Sequence, residues 1–357
     1  EMRSMNRKTR SCCSPSFLKL VLVFLVSLIS LLICGGCGKS DTQTVRIGMV
    51  IYSQDDTFIA AVTQEMEQLA REYENEYDMK INLNLADGKS NQTIQLEQID
   101  RFLDSGCDVL CVNIVDRTAA AVLIDKAAAM DVPVIFFNRQ PVKEDLERWE
   151  KVYYVGPKGE ESGIYQGEIL LEKWEKEQKE VDRNGDGILQ YVMLEGEPGH
   201  QDTLLRSEYA IKPLTENGVK VEKLISGTAN WSRAQAASKV KQWYQEYGDS
   251  IEAVIANNDD MALGAIDAMQ EMEVSPLPMV VGVDATVPAL SALKQGTMVG
   301  TVQNAPDMPT VLLQLSLALA TGKEIPEEIQ VQDSHYIWLH YHKITSENVE
   351  SVLCSRP

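Results

Sequence analysis

Short apolar runs alternate along the chain with longer segments in which apolar residues recur at helical spacing. The runs are apolar nearly throughout, a pattern typical of parallel strands that helices cover on both faces. Strands are predicted at 45–52, 80–85, 108–114, 132–137, 190–194, 219–225, 253–256, 279–283, 298–302 and 334–339. Helices are predicted between them at 57–73, 91–105, 161–180, 203–215, 233–247, 261–271, 287–296 and 308–320, with another ending at residue 130.

The alternation is interrupted once, near the middle of the chain. A polar connection at 139–151 leads into a short extended segment at 152–157, which has few packing residues around it and suits a crossing between lobes. The strand and helix pattern then starts again. We therefore predict an α/β protein with two similar Rossmann-like lobes built on parallel sheets. Open α/β sheets bind ligands at the carboxyl ends of their strands, so the cleft is expected between the lobes.

Residues 1–36 have the features of an export signal. A basic head precedes an apolar run from Phe17 to Ile33, and the small residues before Cys37 follow. Gly-Gly-Cys after a Leu-rich run resembles the bacterial lipoprotein signal. It predicts lipidation of Cys37, a tether over 37–44 and a place on the extracytoplasmic face of the cell membrane. Cys34 departs from this signal, which usually has an aliphatic residue there, and a transmembrane helix is the alternative for the run.

The charge balance excludes some classes of partner. The net charge is −20, and removal of the signal makes the chain more acidic, because the signal holds five basic residues and one acidic residue. Nucleic acid and anionic membrane surfaces would repel such a chain. Of the seven cysteines, only Cys107, Cys111 and Cys354 lie after Cys37, without metal or redox spacing, which argues against a disulfide scaffold.

The segment from Asp182 to Gln190 resembles a calcium-binding loop. Its positions 1, 3, 5 and 9 carry side-chain oxygens, and its sixth residue is a glycine suited to a sharp turn; these oxygen positions are Asp182, Asn184, Asp186 and Gln190. Ile188 at position 7 offers a backbone carbonyl. A solvated Asp-Gly turn is the alternative. Position 12 is Met193 rather than Glu, so a carboxylate from elsewhere would have to complete a metal site.

Polar and aromatic residues follow most of the predicted strands. These residues are Asp56, Phe58, Asn138, His200, Asp202, Arg206, Trp231, Asn258, Asp284 and Asn304. Taken singly, Asp56 and Asp284 could cap helices, and Asp202 and Arg206 could form an exposed i,i+4 pair. Taken together, planar groups that donate and accept match the hydroxyls of a sugar, and the two aromatic rings match its apolar faces. A glycoside hydrolase that uses Asp56 and Asp284 is a weaker alternative. A metal site at His340 and His342 lacks an evident third ligand.

The same residues stand in segments that resemble one protein family. The chain is similar to the galactose/glucose-binding proteins, type I periplasmic sugar-binding proteins of ABC importers. Collinear matches at 46–58, 134–138, 153–156, 196–200, 255–259, 282–285 and 300–304 carry the resemblance, among them Gly196-Glu197-Pro198-Gly199-His200. They span nearly the whole exported chain. Arg139 departs from the family, which often has Lys at this position, and 334–339 matches weakly.

The resemblance implies a role for each matching position. Eight of the ten residues named above would hydrogen-bond a sugar, and Phe58 and Trp231 would enclose the pyranose. A structural calcium ion would be held by Asp182, Asn184, Asp186, the Ile188 carbonyl, Gln190 and two oxygens of Glu252. Crossings near Gly156, Asn304 and Trp338 would give an N-terminal lobe of 45–156 and about 305–338, and a C-terminal lobe of 157–304 and about 339–357.

These implications lead to one expected function. The chain would be a monomeric, lipid-anchored receptor that binds D-galactose or D-glucose by hinge closure and delivers it to an ABC permease. It would catalyse no reaction. A sugar sensor that reports to a chemoreceptor or histidine kinase is the alternative.

Overall fold

The computed structural model describes residues 43–354, which form two α/β lobes. The predictions of a signal over 1–36, of lipidation at Cys37 and of most of the tether lie outside the described residues. No helix within 43–354 combines the length and the apolar character that a membrane crossing requires.

Each lobe is built around a six-stranded sheet. The first sheet has the order β11-β5-β4-β3-β1-β2. Its strands are β1 (Thr44–Ile51), β2 (Lys80–Asp87), β3 (Val109–Val112), β4 (Val134–Phe137), β5 (Val152–Pro157) and β11 (Tyr336–Leu339). The second sheet has the order β12-β10-β9-β8-β6-β7. Its strands are β6 (Ile188–Glu195), β7 (Lys220–Thr228), β8 (Ala253–Ala256), β9 (Met279–Val283), β10 (Gly300–Gln303) and β12 (His342–Ile344).

Helices cover both faces of both sheets, which is why the central strands are apolar on both sides. In chain order they are α1 (Thr57–Tyr77), α2 (Gln92–Asp104), α3 (Ala120–Ala129), α4 (Lys143–Leu146), α5 (Gly159–Val181), α6 (Gln201–Tyr209), α7 (Lys212–Glu216), α8 (Arg233–Tyr247), α9 (Asp259–Glu271), α10 (Val287–Lys294), α11 (Met308–Thr321) and α12 (Val349–Cys354). Strand β8 and strand β9 are buried at every position. Cys111 of β3 is buried in the core, as its apolar neighbours predict.

The chain passes between the lobes three times. It leaves the first sheet after β5, returns after β10 to form α11, and leaves again between β11 and β12. Leu312 and Leu313 of α11 pack in the core of the first lobe together with Ile47 of β1. The prediction of a two-lobed α/β fold with parallel sheets is confirmed, with one addition. Strand β12 is antiparallel to β10 and was not predicted.

Some predictions differ from the structure, and the short helices α4 and α12 were not predicted. The helix predicted at 203–215 is divided into α6 and α7, and Pro213 lies in the first turn of the second helix, where its missing N–H costs nothing. Asp284 does not cap a helix, because Thr286 occupies the N-cap position of α10.

Candidate functional site

All ten residues predicted from the strand ends line one cavity between the lobes, which we call the cleft. The cleft encloses about 320 Å³ of empty space, including the part open to solvent. Tyr52, Ile59 and Arg139 also line it and were not among the predicted site residues. The structure thus brings the predicted residues together, and their contact with a sugar stays a prediction.

The first lobe contributes Asp56 from the N-terminus of α1. One carboxylate oxygen, Oδ1, accepts the N–H of Ile59 at 2.8 Å, and Oδ2 accepts the hydroxyl of Tyr52 at 2.5 Å. Asp56 is therefore a helix cap and a cleft residue at once. The phenol group of Tyr52 orients the carboxylate, and burial together with the Asp56 charge raises the pKa of Tyr52, which keeps it protonated as the donor.

Asn138 follows β4 and is oriented by a second amide behind it. Its φ of 59° is a left-handed conformation that asparagine tolerates better than most residues. The side chain of Asn113, which is fully buried, donates to Asn138 Oδ1 at 3.1 Å and to the Phe137 carbonyl at 3.1 Å. With Oδ1 engaged by Asn113, the NH₂ group of Asn138 is the part left to donate to a ligand.

The second lobe contributes a buried ion pair on α6. Arg206 Nη2 donates to Asp202 Oδ2 at 2.9 Å, and both side chains are almost completely buried. The exposed i,i+4 pair considered from the sequence is therefore wrong. Arg206 also donates to the Asn257 carbonyl at 2.6 Å and to the hydroxyl of Tyr341 at 3.1 Å. Tyr341 lies in the third crossing, so a cleft residue is bonded directly to the hinge.

His200 caps α6 and is neutral. Its Nδ1 accepts the N–H of Asp202 at 3.1 Å, so the ring proton is on Nε2. Burial and the charges of Arg139, Arg206 and Arg117 hold the pKa of His200 well below its usual value. A neutral imidazole with a protonated Nε2 is a donor to an oxygen.

Trp231 lies against His200, with ring centroids 5.2 Å apart and the rings nearly perpendicular. Its position depends on Gly196, because a Cβ at Gly196 would overlap the indole ring. Trp231 has a φ of 62°, and its carbonyl accepts the side chain of Asn258 at 3.3 Å. Asn258 in turn caps α9 through Met261, so the indole and the amide form one connected wall of the cleft.

Asp284 and Asn304 stand side by side after β9 and β10. Asn304 Nδ2 donates to Asp284 Oδ1 at 3.3 Å. Burial raises the pKa of Asp284 well above its usual value, and the nearby charge of Arg206 opposes that rise. Within 43–354, Asn304 Oδ1 and Arg139 Nε are buried polar atoms without a hydrogen-bond partner. Buried polar atoms normally have partners, so these two are available to a ligand.

Within residues 43–354, side-chain hydrogen bonds join the lobes across the cleft. Arg139 Nη2 donates to Glu197 Oε2 at 2.8 Å, Thr57 Oγ1 donates to Asp260 Oδ2 at 2.6 Å, and Gln201 Nε2 donates to the Asn138 carbonyl at 3.0 Å. The Arg139 guanidinium also lies over the ring of Tyr52, with Cζ 3.6 Å from the centroid. The lobes are therefore closed on each other in this structure.

The loop at 182–190 and Glu252 meet below β6 and β8. Glu252 is buried, and its carboxylate accepts the N–H of Arg183 at 2.7 Å and of Gln190 at 3.0 Å. Asp182 accepts three amides of its own loop, those of Gly185, Asp186 and Gly187. Burial raises the pKa of Glu252, and the negative charges of Asp182 and Asp186 raise it further. Three carboxylates therefore repel one another here.

The donor set of this loop suits a hard cation. Among the described residues, no group of three or more His, Cys, Asp or Glu could hold a metal ion by itself, so amide and carbonyl oxygens would have to take part. Gln190 Oε1 is buried without a hydrogen-bond partner, while its Nε2 donates to Asp186 Oδ2 at 2.8 Å. An unpaired amide oxygen beside mutually repelling carboxylates fits calcium, which prefers oxygen ligands.

Some residues that contribute to the site were not among those predicted from their position after a strand. Asn113 and Tyr341 touch predicted residues from behind, and Glu197 reaches Arg139 from the other lobe. Tyr52 ends the apolar run of β1 and could have been suspected on that ground. Arg139 directly follows a predicted strand and departs from the resembling family, but it was not among the predicted site residues.

Comparison with known proteins gives a consistent result. The model of the periplasmic binding protein domain family matches residues 47–324. The chain is 37% identical to the D-galactose/methyl-galactoside binding periplasmic protein MglB of Haemophilus influenzae, over 82% of this chain and 87% of that protein. It is 29% identical to a putative rhizopine-binding protein of Rhizobium meliloti, over 81% of this chain and 88% of that protein.

A solved structure has the same fold. It is an ABC transporter solute binding protein from Bacillus halodurans with bound myo-inositol. The TM-score is 0.73 at 26% identity, over 88% of this chain and 99% of that chain.

Proposed function

The chain belongs to the periplasmic binding protein domain family, whose members bind solutes for transport and are not enzymes, and from this premise we propose that it binds D-galactose or D-glucose for an ABC importer. The 37% identity to a galactose-binding relative favours a hexose over the cyclitol bound by the structural neighbour. The hydrolase alternative is dropped, because the family's role is binding.

The proposal is supported by the balance of charged groups, hydrogen-bond donors and acceptors that line the cleft. Arg206 is paired with Asp202, and Arg139 is paired with Glu197, so the cations of the cleft are already matched. Asp56 and Asp284 are left as acceptors, and Asn138, His200 and Asn258 offer donors. A neutral ligand with several hydroxyls satisfies such a set, whereas an anionic sugar would face two unmatched carboxylates.

The aromatic residues supply the apolar part of the recognition. Phe58 comes from α1 of the first lobe, and Trp231 comes from the loop after β7 of the second. A pyranose between the two rings would bury its C–H faces and bring the lobes together. Ligand binding and closure would thus be one event, in which the sugar favours the closed state by bridging both lobes.

Calcium belongs to the proposal as a structural ion. Asp182, Asn184, Asp186, Gln190, Glu252 and the carbonyl of Ile188 would hold it. When bound, it would supply positive charge to three carboxylates that otherwise repel one another. Addition of calcium after chelation should raise the melting temperature, because an ion that binds the folded state stabilises it. Glu252→Gln should reduce that increase, and Glu222→Gln, an exposed carboxylate on β7, should leave it unchanged.

The membrane anchor is proposed from residues outside the described part of the chain. Lipidation at Cys37 would tether the protein beside its permease. Cys37→Ser should release the protein from membranes in a fractionation of expressing cells. If the protein stays with the membrane at the wild-type level, the lipid-anchor proposal is wrong.

The direct test of the function is calorimetry on the purified protein with D-galactose, D-glucose and myo-inositol. We expect one of the two hexoses to bind more tightly than myo-inositol. A folded protein that binds neither hexose would overturn the hexose assignment. Binding of myo-inositol alone would move the assignment to cyclitols.

A further inference from the structure

A fully buried carboxylate, Asp259, lies directly behind the turn that carries Asp284. Its Oδ2 accepts the N–H of Thr286 at 2.7 Å, and its Oδ1 accepts the hydroxyl of Thr301 at 2.6 Å. Thr301 is also fully buried, and its Oγ1 accepts the N–H of Ala285 at 3.2 Å. Asp259 therefore holds one backbone amide of the turn directly and the preceding one through Thr301.

The turn has a backbone conformation that requires such support. Asp284 has a φ of 110° and Ala285 a φ of 52°, both in a region that residues with a Cβ rarely adopt. Strained backbone of this kind persists where the surrounding structure holds it. The strain falls on Asp284, the residue that presents its carboxylate to the cleft.

The neighbouring strand leaves room for the Asp259 side chain. A Cβ at Gly282 of β9 would overlap Asp259 Oδ1. Helix capping does not explain Asp259, because Asn258 already caps α9 by accepting the N–H of Met261 at 3.0 Å. The two oxygens of Asp259 point instead to β10 and to the turn, and the hydrogen bonds that they accept there offset part of the cost of burying a carboxylate.

We propose that Asp259, together with Thr301, is a positioning residue that sets the affinity of the cleft by holding the turn 284–286 in its ligand-binding conformation. The proposal rests on the hexose-binding function for its affinity readout. The conformation of the turn itself can be measured without any ligand.

The charges around Asp259 give the proposal a pH signature. Burial raises the pKa of Asp259 to about 7, and its hydrogen bonds to Thr301 and Thr286 oppose the rise. The carboxylates that act on it are those of Asp260 and Asp284, and Arg206 acts on Asp284. Protonation of Asp259 would turn an acceptor oxygen into a donor facing Thr286 or Thr301. Affinity should therefore fall as the pH falls through about 7.

The test compares four variants by calorimetry with D-galactose, at a series of pH values from about 5 to 8. Asp259→Asn and Thr301→Val each remove part of the support, and we expect about tenfold weaker binding at the upper end of the range. Thr301→Ser keeps the hydroxyl and should bind within about threefold of the wild type. Asp267→Asn, on the exposed side of the same helix α9, is the control that should bind as the wild type does.

The pH profile separates positioning from a general structural role. Asp259→Asn removes a titrating group and also removes a charge that raises the pKa of Asp284, so its loss of affinity with acid should move to lower pH. Hydrogen exchange of the ligand-free protein provides the second readout. The amides of Ala285 and Thr286 should exchange faster in Asp259→Asn and in Thr301→Val than in Thr301→Ser.

Affinities within about threefold of the wild type for both Asp259→Asn and Thr301→Val would overturn the proposal. An equal loss of affinity in Thr301→Ser and Thr301→Val would also overturn it. The same holds if a folded Asp259→Asn protein has the pH profile of the wild type. If Asp259→Asn does not fold, the two Thr301 variants still decide. Failure of the wild type to bind D-galactose would count against the hexose proposal, while the exchange rates would still test the turn.

Discussion

The ion pair between Arg139 and Glu197 is expected to act as a latch that is present only when the lobes are closed. The Arg139 side chain is 6% exposed and that of Glu197 is 29% exposed, with 2.8 Å between Nη2 and Oε2. At an effective dielectric constant of about 20, the direct attraction would be about 6 kcal/mol. Most of this is offset by the loss of hydration on closing, which leaves a net contribution of about 1.5 kcal/mol.

Glu197→Gln keeps the shape of the side chain and an oxygen that can still accept from Arg139. It removes the charge, and it leaves the buried guanidinium uncompensated in the closed form alone. A penalty of about 1.5 kcal/mol on closing corresponds to a dissociation constant about tenfold higher. Because Glu197 itself does not line the cleft, the loss should come from the closing equilibrium.

The assay combines calorimetry with small-angle X-ray scattering. The ligand-free variant should have a larger radius of gyration than the ligand-free wild type, and the two should agree when saturated with sugar. Asp267→Asn is the matched control, because it breaks the ion pair to Arg233 within one lobe and should change neither quantity. Unchanged affinity and an unchanged radius of gyration in Glu197→Gln would refute the latch.

Three further predictions concern the cleft and its surroundings. Gly196→Ala should displace the Trp231 indole and weaken sugar binding by about tenfold or more. It should also lower the free energy of unfolding by about 1–3 kcal/mol. Near-normal sugar binding in this variant would show that the ring can move without cost. Asp284→Ala should abolish sugar binding and leave calcium affinity nearly unchanged in paired titrations, and loss of both would contradict two separate sites. Because the pKa of Asp259 is raised from 3.8 to about 7, the folded state holds a proton that the unfolded state releases, so the free energy of unfolding should fall as the pH rises through this range. Denaturant titrations of ligand-free protein should show a smaller fall in Asp259→Asn, and equal slopes would mean that Asp259 does not titrate there.

The two-lobed fold could be predicted because its central strands are apolar at nearly every position. Strand β8 is an example, because its four residues are all apolar and buried, which is typical of a strand covered on both faces. The strand β12 escaped prediction because it has three residues, of which His342 is exposed and Lys343 is only half-buried. Its position is decided by pairing with β10, which is a long-range contact that no local pattern contains.

The sequence likewise predicted some residues of the candidate site and missed others. The strand-end rule identified the residues that line the cleft, since parallel strands bring their carboxyl ends to one edge. It could not find residues that act from behind or across the cleft. Tyr341 is 135 residues from Arg206 in the chain, and Thr57 is 203 residues from Asp260. Such contacts depend on how distant segments of the chain come together, which no local sequence pattern reveals.

The three crossings also have a consequence for the order in which the protein can fold during synthesis. Strand β11 completes one edge of the first sheet by pairing Tyr336 with Tyr154, and β12 completes one edge of the second by pairing with β10. Both closing strands follow the other described strands in the chain, so neither sheet is complete until β11 and β12 have been made. Pairings between such distant residues form slowly, because a long loop must close first. If the chain is exported as its N-terminal sequence predicts, this delay would leave the nascent polypeptide incompletely folded, and hence able to pass through a translocation channel, until β11 and β12 emerge.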